Sequence, residues 1–181
     1  MSVKELEARL EILINVKAGA SREERWHQAL TAVAAHTAQT FQVAEGEVAI
    51  LLKTDDGTAL KFVYPLAMGE GLNIFPLASA SVAGEVVKSS RGQVDNAFAR
   101  TKHLSFYERV RLEGSKAGPI QKLVAAPIAG ARSPIGVIEV SRKGEDAAAA
   151  GADFTPHDLA ALMEIGAAVG PYLLQLRPPL P

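Results

Sequence analysis

At 181 residues, with 48% hydrophobic and 22% charged side chains, the chain has the make-up of one globular domain able to bury roughly 70% of its unfolded surface. Its 19 Lys and Arg against 20 Asp and Glu leave no cationic surplus for a row of phosphates, so nucleic acid is not an expected partner. The absence of cysteine excludes disulfides, thiolate nucleophiles, cysteine-ligated metals and thioether-linked chromophores together.

The N-terminal stretch MSVKELEARLEILINVK mixes charges with aliphatics. It has neither a signal-peptide core nor the ~18 apolar residues of a membrane span, so a cytoplasmic protein without membrane attachment is expected. Val3, Leu6, Leu10 and Leu13 recur at three-four-three spacing, which aligns them in one helical seam about two heptads long. Such a seam can dimerise or can pack on the chain's own body, and two heptads alone are marginal for a coiled coil. Residues 1–20 therefore read as an N-terminal helix suited to dimerisation. Ser21 and Glu24 then form a capping-box pattern, and Trp26, Ala29, Leu30, Val33, Ala34 and Thr37 keep to one face of a helix ending near Phe41.

At Glu47–Thr54 the period changes to two, with Val48, Ile50 and Leu52 on one side of a strand. Asp55, Asp56 and Gly57 supply turn chemistry, and the return run Ala59–Tyr64 puts Leu60, Phe62 and Tyr64 on one face of an antiparallel partner. Leu72–Leu77 suggests a third strand, and Ser79 or Ser81 can cap a short helix through Val86 and Val87. Beyond Gly92 the chain reads as irregular and polar, with Phe106–Leu112 as another helical turn or two. LVAAPIAGARSPIGVIEVSRKG, Leu123 to Gly144, is a second hairpin whose first strand holds Pro127. Proline lacks a ladder donor, so its nitrogen must face an edge or a bulge, which predicts an irregularity there. Ile135–Val140 is apolar on both parities, as in a strand covered on both sides. GEDAAAAGAD reads as a glycine-broken loop.

Thr155 as cap, Pro156 at N1, Asp158 at N3 and a staple between Phe154 and Leu159 start the closing helix. Leu159, Leu162, Val169, Leu173 and Leu176 share its apolar stripe, with a bend or break expected at Gly170–Pro171. Leu6, Leu10, Leu13, Leu162, Val169 and Leu173 are thus the candidate homodimer interface. RPPLP, residues 177–181, reads as a disordered tail.

This order is α+β, an antiparallel sheet of about five or six strands with terminal helices on one face and short helices and loops over the other. Three stretches, SASVAGEVVKSSRGQVDNAFA, LVAAPIAGARSPIGVIEVSRKG and FTPHDLAALMEIGAAV, resemble in order and spacing the motifs of the GAF domain. That family comprises small-molecule-binding and dimerising modules of signalling proteins, and the resemblance covers residues 21–176. It implies a short strand ending in Asp95, and a ligand held between the sheet and the segment from Gly92 to Leu112. Asp95, Asn96, Phe98, His103, Phe106, Tyr107 and Arg111 are the implied ligand-binding residues. Phe98 and Phe106 as core filling, and Asp95 as a turn cap, are the plainer reading of the same residues.

The resemblance also tests ligand classes. GAF domains that bind cyclic nucleotides carry Asn-Lys followed by a distant Phe, three residues and Asp-Glu. The matching positions here are Ser141, Arg142, Phe154, Asp158 and Leu159, so a cyclic nucleotide is not expected. Covalent bilin attachment and the family's methionine-sulfoxide reductase chemistry both use cysteine, which is absent. A noncovalent haem on His103 is the remaining cofactor reading. His27, His36, His103 and His157 form no metal-ligand spacing, and no phosphate loop or nucleophile elbow occurs, GEGLNI at Gly69 lacking the third glycine of a dinucleotide turn. The expected function is a non-enzymatic sensory module that binds an unknown small molecule and signals through rearrangement of a terminal-helix homodimer, with a signalling protein as a further partner. A ligand-free dimerisation or docking module is the alternative.

Overall fold

A computed structural model describes residues 2–15, 19–69, 74–100 and 118–181. In chain order the elements are α1 (Val3–Asn15), α2 (Arg22–Phe41), β1 (Val48–Lys53), β2 (Ala59–Tyr64), α3 (Leu66–Gly69), β3 (Ile74–Pro76), α4 (Val82–Ser89), β4 (Gln93–Asp95), β5 (Ile120–Ile128), β6 (Gly136–Lys143) and α5 (Pro156–Leu176). The strands form one six-stranded antiparallel sheet in the order β3-β2-β1-β6-β5-β4.

Local chemistry sets the helix starts. Ser21 Oγ accepts the Glu24 amide at 3.1 Å while the Glu24 carboxylate accepts the Ser21 amide at 2.6 Å, and Thr155 and Asp158 repeat this box on α5. Ser81 caps α4 through the Gly84 amide.

The sheet separates two apolar layers. Val48, Ile50, Leu52, Val124, Ala126, Ile138 and Val140 face α1, α2 and α5, while Ala49, Leu51, Leu60, Phe62, Leu123, Ala125 and Val137 face α4 and the 3-10 turn Phe98–Arg100. This alternation covers β1, β5 and β6 on both faces, as the mixed parity of Ile135–Val140 predicts. On the helix face α5 lies unusually close to β5. A Cβ built on Gly166 would fall 2.3 Å from the Pro127 carbonyl oxygen, and one on Gly170 would fall 2.0 Å from that of Ala129. The Gly166 carbonyl accepts the Ala129 amide at 3.0 Å.

The tertiary fold corrects five expectations. Leu6, Leu10, Leu162, Val169 and Leu173 are fully buried in the single chain, and Leu13 is half-buried against the same core. Each buried leucine gains about 1.5–3 kcal/mol from this burial, so the seam closes on its own α2 and α5 rather than on a second copy. The tail is docked rather than disordered. Arg177 forms an ion pair with Asp55, the Asp55 amide donates to the Leu180 carbonyl, the Leu180 amide donates to Asp55 Oδ2, and Leu180 is buried.

Third, no break occurs at Gly170–Pro171: α5 runs through Pro171, whose ring is exposed while Gly170 meets Ala129. Fourth, a register shift pairs Ile50 with Tyr64 but Leu51 with Phe62, leaving Val63 as an extra residue. That bulge turns Tyr64 to the helix layer, away from Leu60 and Phe62. Fifth, the irregularity of β5 lies between Ile120 and Lys122 rather than at Pro127. The Ile128 carbonyl accepts the Ile135 amide on the β6 side, so by alternation the nitrogen of Pro127 faces the other edge, beyond Ala125 where β4 pairing ends. The proline therefore leaves no ladder bond unmade there.

Candidate functional site

The sheet face beneath α4 is built in cross-strand rows. Leu51 and Val137 lie side by side, next along the strands come Ala49, Glu139, Ala125 and Gln93, and then Ser141, Leu123 and Asp95. Two of these rows are apolar at their centre. The middle one places a carboxylate between two alanines.

Glu139 keeps some exposed area, yet Ala49, Ala125 and Val137 around it all belong to the apolar layer that Val86, Val87 and Phe98 complete. Its cross-strand neighbours are apolar on both sides. Burial pushes its carboxyl up to about 7, because the charged form loses hydration that nothing polar replaces. No hydrogen bond or ion pair reaches it among the described residues. No feature of the sequence reading singled it out; the signal was an acid in the middle of the apolar run GVIEV.

Of the implied ligand residues, Asp95 falls on this face at the end of β4, with Oδ1 accepting the Ala97 amide at 2.8 Å. The short strand ending in Asp95 is present as the resemblance implies. Asn96 acts as a latch: its side-chain amide donates to the Phe154 carbonyl at 2.9 Å and its Oδ1 accepts the Phe154 amide at 2.8 Å. Phe98 is buried in the lower apolar layer, the plainer of its two readings. His103, Phe106, Tyr107 and Arg111 lie outside the described residues, as do most of GEGLNI and all of Phe106–Leu112.

The positions matched to cyclic-nucleotide binding are engaged in the fold. Ser141 Oγ donates to the Glu47 carbonyl, Arg142 lies 4.8 Å from the centre of the buried Phe154 ring, and Asp158 caps α5. Among the described residues no group of His, Asp and Glu converges as a metal site would require. Two clefts lie elsewhere: one of about 440 Å³ between α2, β2 and the docked tail, lined by Trp26, His27, Lys61 and Pro178, and one of about 290 Å³ at the β5–β6 turn. Helix α5 has the length and apolar composition of a membrane span, but Leu162, Ile165, Val169 and Leu173 commit one side of it to this core.

No family model and no curated protein sequence matches the chain. Solved structures do match, and the fold they define is that of the GAF domain. The GAF domain of the phosphoenolpyruvate-protein phosphotransferase from Acinetobacter aligns over 96% of this chain and 95% of its own, with TM-score 0.62 and 15% identity. Residues 122 to 287 of a methyl-accepting chemotaxis protein align over 94% and 96%, with TM-score 0.64 and 15% identity. The free methionine-R-sulfoxide reductase from Neisseria meningitidis, solved with its substrate, aligns over 97% and 90%, with TM-score 0.60 and 16% identity. The fold therefore occurs both in signalling modules and in an enzyme.

Proposed function

We propose that this chain is a sensory GAF module that binds a small molecule on the sheet face beneath α4 and carries no catalysis of its own. The observation that carries this reading is the asymmetry of the two layers. Towards α2 and α5 the sheet presents Val48, Ile50, Leu52, Val124, Ala126, Ile138 and Val140, whereas its α4 side sets Glu139, Ser141 and Asp95 among alanines and aliphatics, the mixture typical of ligand sites. The chemotaxis and phosphotransferase neighbours support a signalling role, and the lack of cysteine removes the thiol chemistry expected of a reductase of this fold.

Strand β5 supplies a route for the signal. Leu123 and Ala125 face the site, and Pro127 and Ala129 of the same continuous segment touch Gly166 and Gly170 of α5. A ligand that prefers one position of β5 would therefore favour one placement of α5 and of α1 packed on it. Output to a partner protein or a second copy would use the outer surfaces of these helices, where Ile12 is 62% and Leu174 43% exposed. The same exposed residues favour the second reading, a ligand-free docking module. Both readings suit a cytoplasmic protein.

Native mass spectrometry of protein purified from its own source, compared with the same sample denatured, tests the first reading. It expects an adduct that leaves on denaturation. A bare chain that also fails to take up any member of a metabolite panel would overturn it in favour of docking.

A further inference from the structure

A carboxylate at the centre of a sheet contributes nothing to packing that an alanine or valine would not, and here it stands in the middle of a cross-strand row between two alanines. Both cross-strand neighbours of Glu139 are alanine, whereas the adjoining rows are filled by Leu51, Val137 and Leu123. The site thus sets an acid with no partner among the described residues between the two smallest apolar side chains of this face. We infer that Glu139 anchors a cationic ligand group, an ammonium or guanidinium, seated over Ala49 and Ala125 beneath α4. This rests on the small-molecule reading above and specifies its ligand class.

The charges around the site agree. From β4, Asp95 faces the same side, about 12 Å away by strand and residue spacing. From β1, Lys53 is about 13 Å along the strand from Ala49, with Nζ donating to Ser133. Lys143 lies equally far from Glu139 along β6, at the edge of the layer. Lys122 of β5 points to the opposite face and pairs with Asp153. On α4, Glu85 and Lys88 are exposed, and Glu85 accepts from Gln93, while Arg100 of the 3-10 turn is exposed. Among the described residues no cation approaches Glu139, and the ammonium or guanidinium of a ligand would supply the countercharge they lack. Burial that holds the empty carboxyl up to about 7 has a further consequence. The cation and the proton compete for the same group, so binding strengthens as pH rises from about 6 to 8.

The test uses the full chain labelled with 13C-glutamate, the Glu139 carboxyl resonance being assigned through bonds in the wild type. Its titration is followed with n-propylammonium chloride, with 1-propanol as the neutral isostere, and with sodium chloride at matched ionic strength. The expected result is a saturable lowering of the Glu139 midpoint by about one unit with n-propylammonium alone. Glu139→Gln should melt a few degrees higher than wild type and lose the response, because it removes a desolvated charge.

A midpoint that n-propylammonium moves no more than salt does overturns the inference. So does a Glu139→Gln protein that is less stable, which would make the carboxyl a structural group. If 1-propanol still perturbs the Ala49 and Ala125 amides, the binding site stands and only the cationic class falls. If neither probe perturbs them, the binding reading fails as well.

Discussion

Replacing Gly170 by alanine sets two effects of opposite sign against each other. In a freely exposed helix the change would stabilise by about 1 kcal/mol, since alanine is the better helix former. Here the new Cβ would lie 2.0 Å from the Ala129 carbonyl oxygen and 2.9 Å from its carbon, both backbone atoms that cannot rotate away. Restoring ordinary contact requires α5 to lift by more than 1 Å at that point. Lifting separates Val169 and Leu173 from the sheet and strains the Ala129-to-Gly166 hydrogen bond. Overpacking of this kind costs about 1–3 kcal/mol, with the lost contacts adding to it, so a net loss of about 2 kcal/mol is expected despite the propensity gain. For a chain of this length that is a fall in Tm of roughly 4–8 °C. Urea unfolding of wild type, Gly166→Ala and Gly170→Ala would measure it, with all three expected to share one m-value. A Gly170→Ala protein as stable as wild type would refute the close approach and, with it, the route from β5 to α5.

Leu10→Glu buries a charge in the chain's own core and should destabilise by about 3 kcal/mol or more, whereas Ile12→Glu on the exposed face should leave Tm within about 1 °C. Equal thermal stability of the two, measured by circular dichroism, would restore Leu10 to a subunit interface. Asn96→Ala removes two hydrogen bonds to the Phe154 backbone and should cost about 2 kcal/mol by chemical denaturation. An unchanged midpoint would sink its role as a latch.

Stability against pH should be the balance of two groups. Burial lowers the pKa of His36, whose ring nitrogens lack partners among the described residues, so its contribution is full above about 6.5 and is lost as pH falls below that value. Glu139 is raised to about 7, so its destabilisation is absent below about 4.5 and grows as pH rises to about 7. In Glu139→Gln, stability should therefore fall more steeply on acidification from pH 7 to 5 than in wild type. In His36→Leu it should rise. Parallel curves for the three proteins would contradict both assignments.

Short-range chemistry was legible in the sequence. The boxes Ser21–Glu24 and Thr155–Asp158 act between residues three apart, and the period-two run of β1 and the both-parity apolar run of β6 report burial wherever the strands end up. The three motifs likewise led to the α+β GAF-like architecture, because element order and spacing are properties of the chain itself. Periodicity states that a face is covered, not what covers it, so the seam of Leu6 and Leu10 suited a partner helix as well as its own α5. The docked tail depended on Asp55, more than a hundred residues away, and the turning of Tyr64 on a one-residue bulge. Glu139 was hidden for the same reason. Its isolation comes from Ala49 and Ala125 on the flanking strands, and only tertiary pairing sets two small side chains beside one acid, making an interruption in an apolar run into a candidate binding group.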